Sequence, residues 1–217
     1  MNRTLFRAAA ALALAASLGG CAVLGLLTGG GGQKNKAQLY RFGGPAEAVV
    51  ARTGPDTTTP IQLESLTFQP AAEGDRMLAI NGAEAFYIAQ SRWVSPAEEL
   101  FTAAAGRAFD RVGLQLTRRG QPIQTGYGLA LTVPVFETRY DAGLEAAPTV
   151  VVEVRAAMLG DRQPLGSTRA AASVPAASNN VTAIVAAYDA ASRQTLDAVA
   201  AWAAATARSA PRTSQPT

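Results

Sequence analysis

Apolar positions recur along this chain with two periods, and together they outline a fold. From Phe101, the residues Ala104, Ala105, Ala108, Phe109 and Val112 follow at steps of three and four, one face of an α-helix. The preceding SPAEELF predicts the helix start: Ser95 caps, Pro96 takes the first helical position and Glu98 completes a capping box. Gly113 predicts its end. A second stripe, Val181, Ile184, Val185, Tyr188, Ala191, Leu196, Val199 and Ala203, predicts a helix capped by Ser178 or Asn179 and ending near Thr206.

Elsewhere the period is two. Lys36–Phe42 sets Leu39 on one face and Tyr40 and Phe42 on the other, and Ile61–Phe68 turns Ile61 and Leu63 to one side. A long Gly-Pro connection, GGPAEAVVARTGPDTTTP, separates the two. Arg76–Ile80 and Ala83–Gln90 flank Asn81-Gly82, a dipeptide suited to a type I′ hairpin turn. Leu114 and Leu116 predict a short strand. Thr125–Tyr140 alternates Tyr127, Leu129, Leu131, Val133 and Val135 against smaller residues, and Pro134 within it demands an edge or a bulge. Thr149–Met158, with Val150, Val152 and Val154 on one side, matches it in length for an antiparallel return, and Leu165–Val174 adds an alanine-rich strand. The fold expected is α+β: a mostly antiparallel sheet with two long amphipathic helices packed on one face.

The first residues follow neither pattern. Arg3 and Arg7 form a positive start, Ala8–Leu18 is apolar, and no acidic residue occurs before position 34. Leu18-Gly19-Gly20-Cys21 then resembles the lipobox of bacterial lipoproteins. The small residues let a peptidase bind an extended backbone, and the thiol of Cys21 attacks the lipid donor. The resemblance implies a signal peptide over 1–20 and a covalent diacylglycerol and N-acyl chain, such as palmitate, on Cys21. A rival reading is an uncleaved membrane span. Ala8–Leu27 has the length for one, but Gly19, Gly20, Gly25 and the dense alanine weaken it. Residues 21–35 read as a lipid-anchored flexible tether ending in GGGGQKNK, 36–206 as the folded domain and 207–217 as a disordered tail. Ala22 after the cysteine favours the outer membrane under the sorting rule of enteric bacteria.

Charge and composition remove several function classes. The chain of 217 residues carries a formal +3, which falls to +1 once the first twenty residues, with Arg3 and Arg7, are removed. That is no footprint for nucleic acid. There is no histidine, so Ser-His-Asp and Cys-His triads, histidine metal sites and the commonest general base are absent. The single cysteine leaves no internal disulfide, and the carboxylates are scattered. No catalytic residue, metal site or cofactor beyond the acyl chains is expected. In SRWVSP, Trp93 beside Arg92 reads either as a large anchor closing the sheet against a helix or as a contact with a partner or lipid. Trp202, at the edge of the second stripe, reads as a rim or interface residue.

An acylated cysteine, a short tether, a strand ending in Tyr-x-Phe, Arg92-Trp93 before a capped helix, two long strands and a final amphipathic helix together resemble the ABC-type transport auxiliary lipoproteins. These are the paraquat-inducible protein C-like lipoproteins of mammalian cell entry class transport systems. The resemblance covers about Leu39–Trp202. It implies a non-catalytic, periplasm-facing outer-membrane lipoprotein that serves intermembrane traffic of lipid or hydrophobic solute. Its partners would be a mammalian cell entry domain protein and an ABC permease and ATPase, with a homo-oligomer left open. A structural or assembly lipoprotein of the outer membrane, or a direct lipid carrier, are the alternatives. Mass spectrometry of the protein from native envelopes is expected to find an N-terminal peptide starting at acylated Cys21. An unprocessed Met1 contradicts the cleaved signal.

Overall fold

A computed structural model describes residues 37–44, 58–121, 125–161 and 163–210. The chain divides into two units, Met1–Lys36 and Ala37–Thr217. The first falls outside the described residues, and with it Leu18, Gly19, Gly20, Cys21 and the tether. The described elements are β1 (Gln38–Tyr40), β2 (Thr59–Phe68), β3 (Arg76–Asn81), β4 (Glu84–Trp93), α1 (Ala97–Arg111), β5 (Leu114–Arg118), β6 (Tyr127–Arg139), β7 (Thr149–Gly160), β8 (Gln163–Pro175) and α2 (Val181–Ser209).

The eight strands form one sheet that forks at β6. Along one side β6 pairs antiparallel with β7, and β7 with β8. Along the other side its first half pairs with β2, which carries β5, and its last residues pair with β3, which carries β4 and then β1. The expected pairing of the two long strands is present. The sheet as a whole is mixed rather than mostly antiparallel, because β1–β4, β2–β5, β2–β6 and β3–β6 are parallel. Short connections reveal antiparallel neighbours in a sequence. Parallel neighbours need a long crossover, here including α1 between β2 and β5, and leave no local signal.

The demand that Pro134 makes is met by a bulge. Between Thr132 and Val135 the β6–β7 register shifts, so that Val133 and Pro134 share one position opposite β7. The alternation changes phase there. Leu129, Leu131 and Val133 are buried, and beyond the bulge Phe136 and Thr138 take the inward positions, with Val135 only half-buried and Glu137 buried on the other face. Phe136 lies within ring contact of Phe42, Phe68, Trp93, Phe101 and Tyr188, at centroid distances of 5.2, 5.1, 6.5, 6.2 and 4.7 Å. Phe101 belongs to α1 and Tyr188 to α2, so both helices cover the same face of the sheet.

Gln69 closes the fork. Its backbone N–H donates to Val133 O at 2.9 Å and its side-chain Oε1 accepts from Phe136 N–H at 2.9 Å, where β2 has ended and β3 has not begun to pair. Tyr188 completes the interior: its hydroxyl donates to Leu78 O at 3.3 Å and accepts from Thr138 Oγ1 at 3.2 Å. Alanines finish the packing, with Ala105, Ala108, Ala191, Ala200 and Ala203 fully buried.

Four local expectations need correction. The β3–β4 hairpin forms, but Asn81 pairs with Glu84 and the turn is Gly82-Ala83. Only Gly82 has positive φ, at 59°, the pattern of a II′ rather than a I′ turn. The capping box at Ser95 is not made; Pro96 is the N-cap, without a side-chain bond. Instead the N–H groups of Ala97 and Glu98 donate to Gly74 O and Glu73 O, carbonyls brought from a distant turn. At α2 the cap is Asn180, whose Oδ1 accepts from Ala183 N–H at 2.9 Å. Asn179 is occupied elsewhere, accepting from Tyr140 OH and donating to Leu144 O. The helix runs to Ser209, past the expected end near Thr206 and into the expected tail, whose residues 211–217 lie outside the description.

Phe136→Ala is expected to cost about 3–5 kcal/mol in urea unfolding, the range for a large aromatic lost from a packed core. Leu39→Ala, at an exposed position, is expected to change stability by less than about 0.5 kcal/mol. A Phe136→Ala cost near that of Leu39→Ala contradicts the central packing role.

Candidate functional site

The Arg92-Trp93 pair is set by an irregular stretch of β4. Leu78 pairs with Tyr87 and Arg76 with Arg92, so four residues of β4 bulge out against one of β3, and Gln90 takes φ +56°. Beyond the bulge the strand pairs with β1, Leu39 opposite Arg92 and Tyr40 opposite Trp93. Trp93 turns inward, 2% exposed, with its ring 5.0 Å from Phe42 and 5.2 Å from Tyr188. It takes the packing role of its two readings. Arg92 turns outward and donates through Nη1 to both carboxylate oxygens of Asp75, at 2.9 and 2.7 Å. Asp75 O also accepts from Trp93 N–H at 2.7 Å, so one residue fastens both members of the pair. Arg76, opposite Arg92, places its guanidinium 3.7 Å from the centre of the Tyr87 ring instead of competing for Asp75.

Beside Arg92 two large apolar side chains stand exposed. Leu39 is 60% and Val94 52% exposed, and Val94 N–H donates to Tyr40 O, holding it beside the short edge strand. The three side chains form a patch of two aliphatic groups and one paired cation. Trp202 lies elsewhere, half-buried on α2 near Gly166 of β8, and is not brought together with Arg92 and Trp93.

The face of the sheet away from the helices carries a second polar constellation that the sequence reading missed. Glu153 on β7 accepts from Arg155 Nε at 2.9 Å and from Arg169 Nη2 of β8 at 2.6 Å. The Arg169 hydrogen bond is the largest influence holding the Glu153 carboxyl below its ordinary pKa; burial opposes it and Arg155 reinforces it. Glu137 on β6 is tied in the same way to Arg139 and Gln69. The alternation in VVVEVR contained a signal for Glu153 and Arg155, but the contribution of Arg169 depends on the β7–β8 register. Among the described residues no group of three His, Cys, Asp or Glu side chains is placed to hold a metal ion, and no helix is long and apolar enough to cross a membrane.

Comparison with known proteins adds a family and a fold. The family described as ABC-type transport auxiliary lipoprotein component matches residues 40–200, from the end of β1 well into α2. Protein XCC0632 of Xanthomonas campestris has a solved structure that superposes with a TM-score of 0.63 at 20% identity, covering 79% of this chain and 97% of that one. A second solved structure, of an uncharacterized protein, gives a TM-score of 0.59 at 12% identity, covering 77% of this chain and 99% of that one. At these identities the likeness is one of fold. No curated protein matches the chain.

Glu153 generates a pH prediction. Its folded pKa lies below the unfolded one, so its contribution to stability is present above the unfolded value and is lost as pH falls through the folded one. Acidification from neutral to about pH 3 is expected to lower the melting temperature of the native chain more than that of Glu153→Gln. Equal falls contradict the role given to the Arg155 and Arg169 contacts.

Proposed function

The chain belongs to the ABC-type transport auxiliary lipoprotein family, and from that premise we propose that it is the lipid-anchored, non-catalytic auxiliary subunit of a mammalian cell entry class transporter. In this reading it is held in the outer membrane through Cys21, faces the periplasm and serves movement of lipid or hydrophobic solute between the two membranes. The family match across nearly the whole folded domain is the observation that carries the reading. The absence of histidine and the pairing of Glu137 and Glu153 with arginines favour a part that binds rather than one that reacts.

The contact with the mammalian cell entry protein is proposed at the β1 edge, through Leu39, Val94 and Arg92. An exposed strand edge offers unpaired backbone groups, and the flanking aliphatic side chains add apolar area at the same place. The edge at β8 is a poorer candidate, being interrupted by Pro164, by Gly166 at φ +152° and by Pro175. A tether between anchor and domain raises the effective concentration of the edge near a partner that bridges to the membrane. The filled interior, with Phe136 ringed by five aromatics and alanines buried between helices and sheet, supports docking over carriage of lipid.

Cross-linking in native envelopes, followed by capture through a C-terminal tag, tests this. The native chain is expected to recover a mammalian cell entry domain protein. A double change, Leu39→Asp with Val94→Asp, is expected to lower that recovery about tenfold or more while the chain keeps its melting temperature. Recovery of outer-membrane assembly components alone overturns the transporter reading. Undiminished recovery by the double variant overturns the assignment of the edge.

A further inference from the structure

Helices α1 and α2 pack against each other, and near Gly43 the groove between them widens into a cavity of about 260 Å³. Three guanidinium groups line it: Arg107 and Arg111, four residues apart on one face of α1, and Arg193 on α2. Arg107 Nη2 donates to Gly43 O at 2.5 Å, Arg193 Nη2 donates to Asp189 Oδ2 at 3.1 Å, and Arg111 pairs with Asp197. The other oxygen of Asp189 accepts from Gly43 N–H at 2.8 Å. Ser192 is also in the lining, 1% exposed, and its Oγ is the one buried side-chain N or O among the described residues with no hydrogen-bond partner.

We propose that this cavity binds a phosphate group, as a mono- or diester or as the free ion. A guanidinium presents five N–H donors in a planar fork that matches phosphate oxygens; the forks of Arg111 and Arg193 meet here from two helices, and Arg107, already bonded to Gly43 O, adds its charge. The Arg111 and Arg193 ion pairs leave those side chains 48% and 61% exposed, and exposed pairs of this kind are weak and readily redirected to a multiply charged ligand. Asp189, the one carboxylate among the described lining residues, stays held through Oδ1 by the Gly43 N–H when Arg193 turns to the ligand. Gly43 is the fitted residue of the wall. A Cβ there would lie 2.6 Å from Arg107 Nη2 and 3.2 Å from Ala104 Cβ, at φ +87°. The volume lies below the roughly 300–1,000 Å³ of pockets for drug-sized ligands, which suits a headgroup or free ion rather than an acyl chain.

The test uses the full chain in a neutral detergent, titrated with inorganic phosphate against sodium chloride of matched ionic strength, with melting temperature as the readout. Phosphate is expected to raise the melting temperature saturably, and Arg111→Gln and Arg193→Gln are each expected to weaken its apparent affinity about tenfold. Arg155→Gln, on the opposite face of the sheet, is expected to titrate like the native chain. Mixed micelles carrying phosphatidic acid, compared with micelles carrying diacylglycerol, separate the sources. Stabilisation by phosphatidic acid at lower concentration than inorganic phosphate assigns a lipid headgroup, and stabilisation by inorganic phosphate alone assigns the free ion. A response to phosphate no greater than to chloride overturns the site, as do two variants that both titrate like the native chain.

Discussion

One strand has to serve two differently placed neighbours, and the side chain of Phe136 is how it does so. β6 gives its first half to β2 and its end to β3, while β7 runs along its whole other side. A regular ladder with Pro134 counted in would turn Phe136 to the outer face. The bulge at Val133-Pro134 absorbs one residue and turns it inward, where the rings of Phe101, Trp93 and Tyr188 bring α1, β4 and α2 onto it. The missing proline N–H costs nothing at a bulge, and Gln69 supplies the acceptor that Phe136 N–H would otherwise lack. A buried backbone donor left open at the centre of the sheet would be expensive.

The range of each interaction decides whether the sequence shows it. The helical stripes were legible because Phe101, Ala105, Ala108 and Phe109, or Ile184, Tyr188 and Leu196, return at a fixed local spacing and are all buried. The hairpin at Gly82 and the β6–β7 pair were legible for the same reason. What was missed depends on partners far along the chain. Ser95 lost the cap to carbonyls at Glu73 and Gly74. The parallel pairings, Gln69 at the fork and Arg169 across from Glu153 have no counterpart in local pattern. Val112, counted in the first stripe, is exposed because it follows the last helical turn. Of the candidate residues, Arg92 and Trp93 are resolved into separate roles by a bulge around Gln90 that alternation alone does not specify.

The same architecture accounts for where chemistry is available. Most of the carboxylates that are out of full solvent contact are spent on arginines: Glu153 on two, Glu137 on Arg139, Asp189 on Arg193. Two features of the described residues stand open to other molecules: the short β1 edge with Leu39 and Val94, and the arginine-lined opening between the helices.

β6, α1 and α2 form one cooperative unit held at Phe136. Native-state hydrogen exchange measures this most directly, because amides that open only with the whole domain share one free energy of opening. Amides of β6 around Phe136, of α1 around Phe101 and of α2 around Tyr188 are expected to exchange with a common free energy equal to that of global unfolding. Exchange of α2 at a distinctly lower free energy, with β6 still protected, would contradict it.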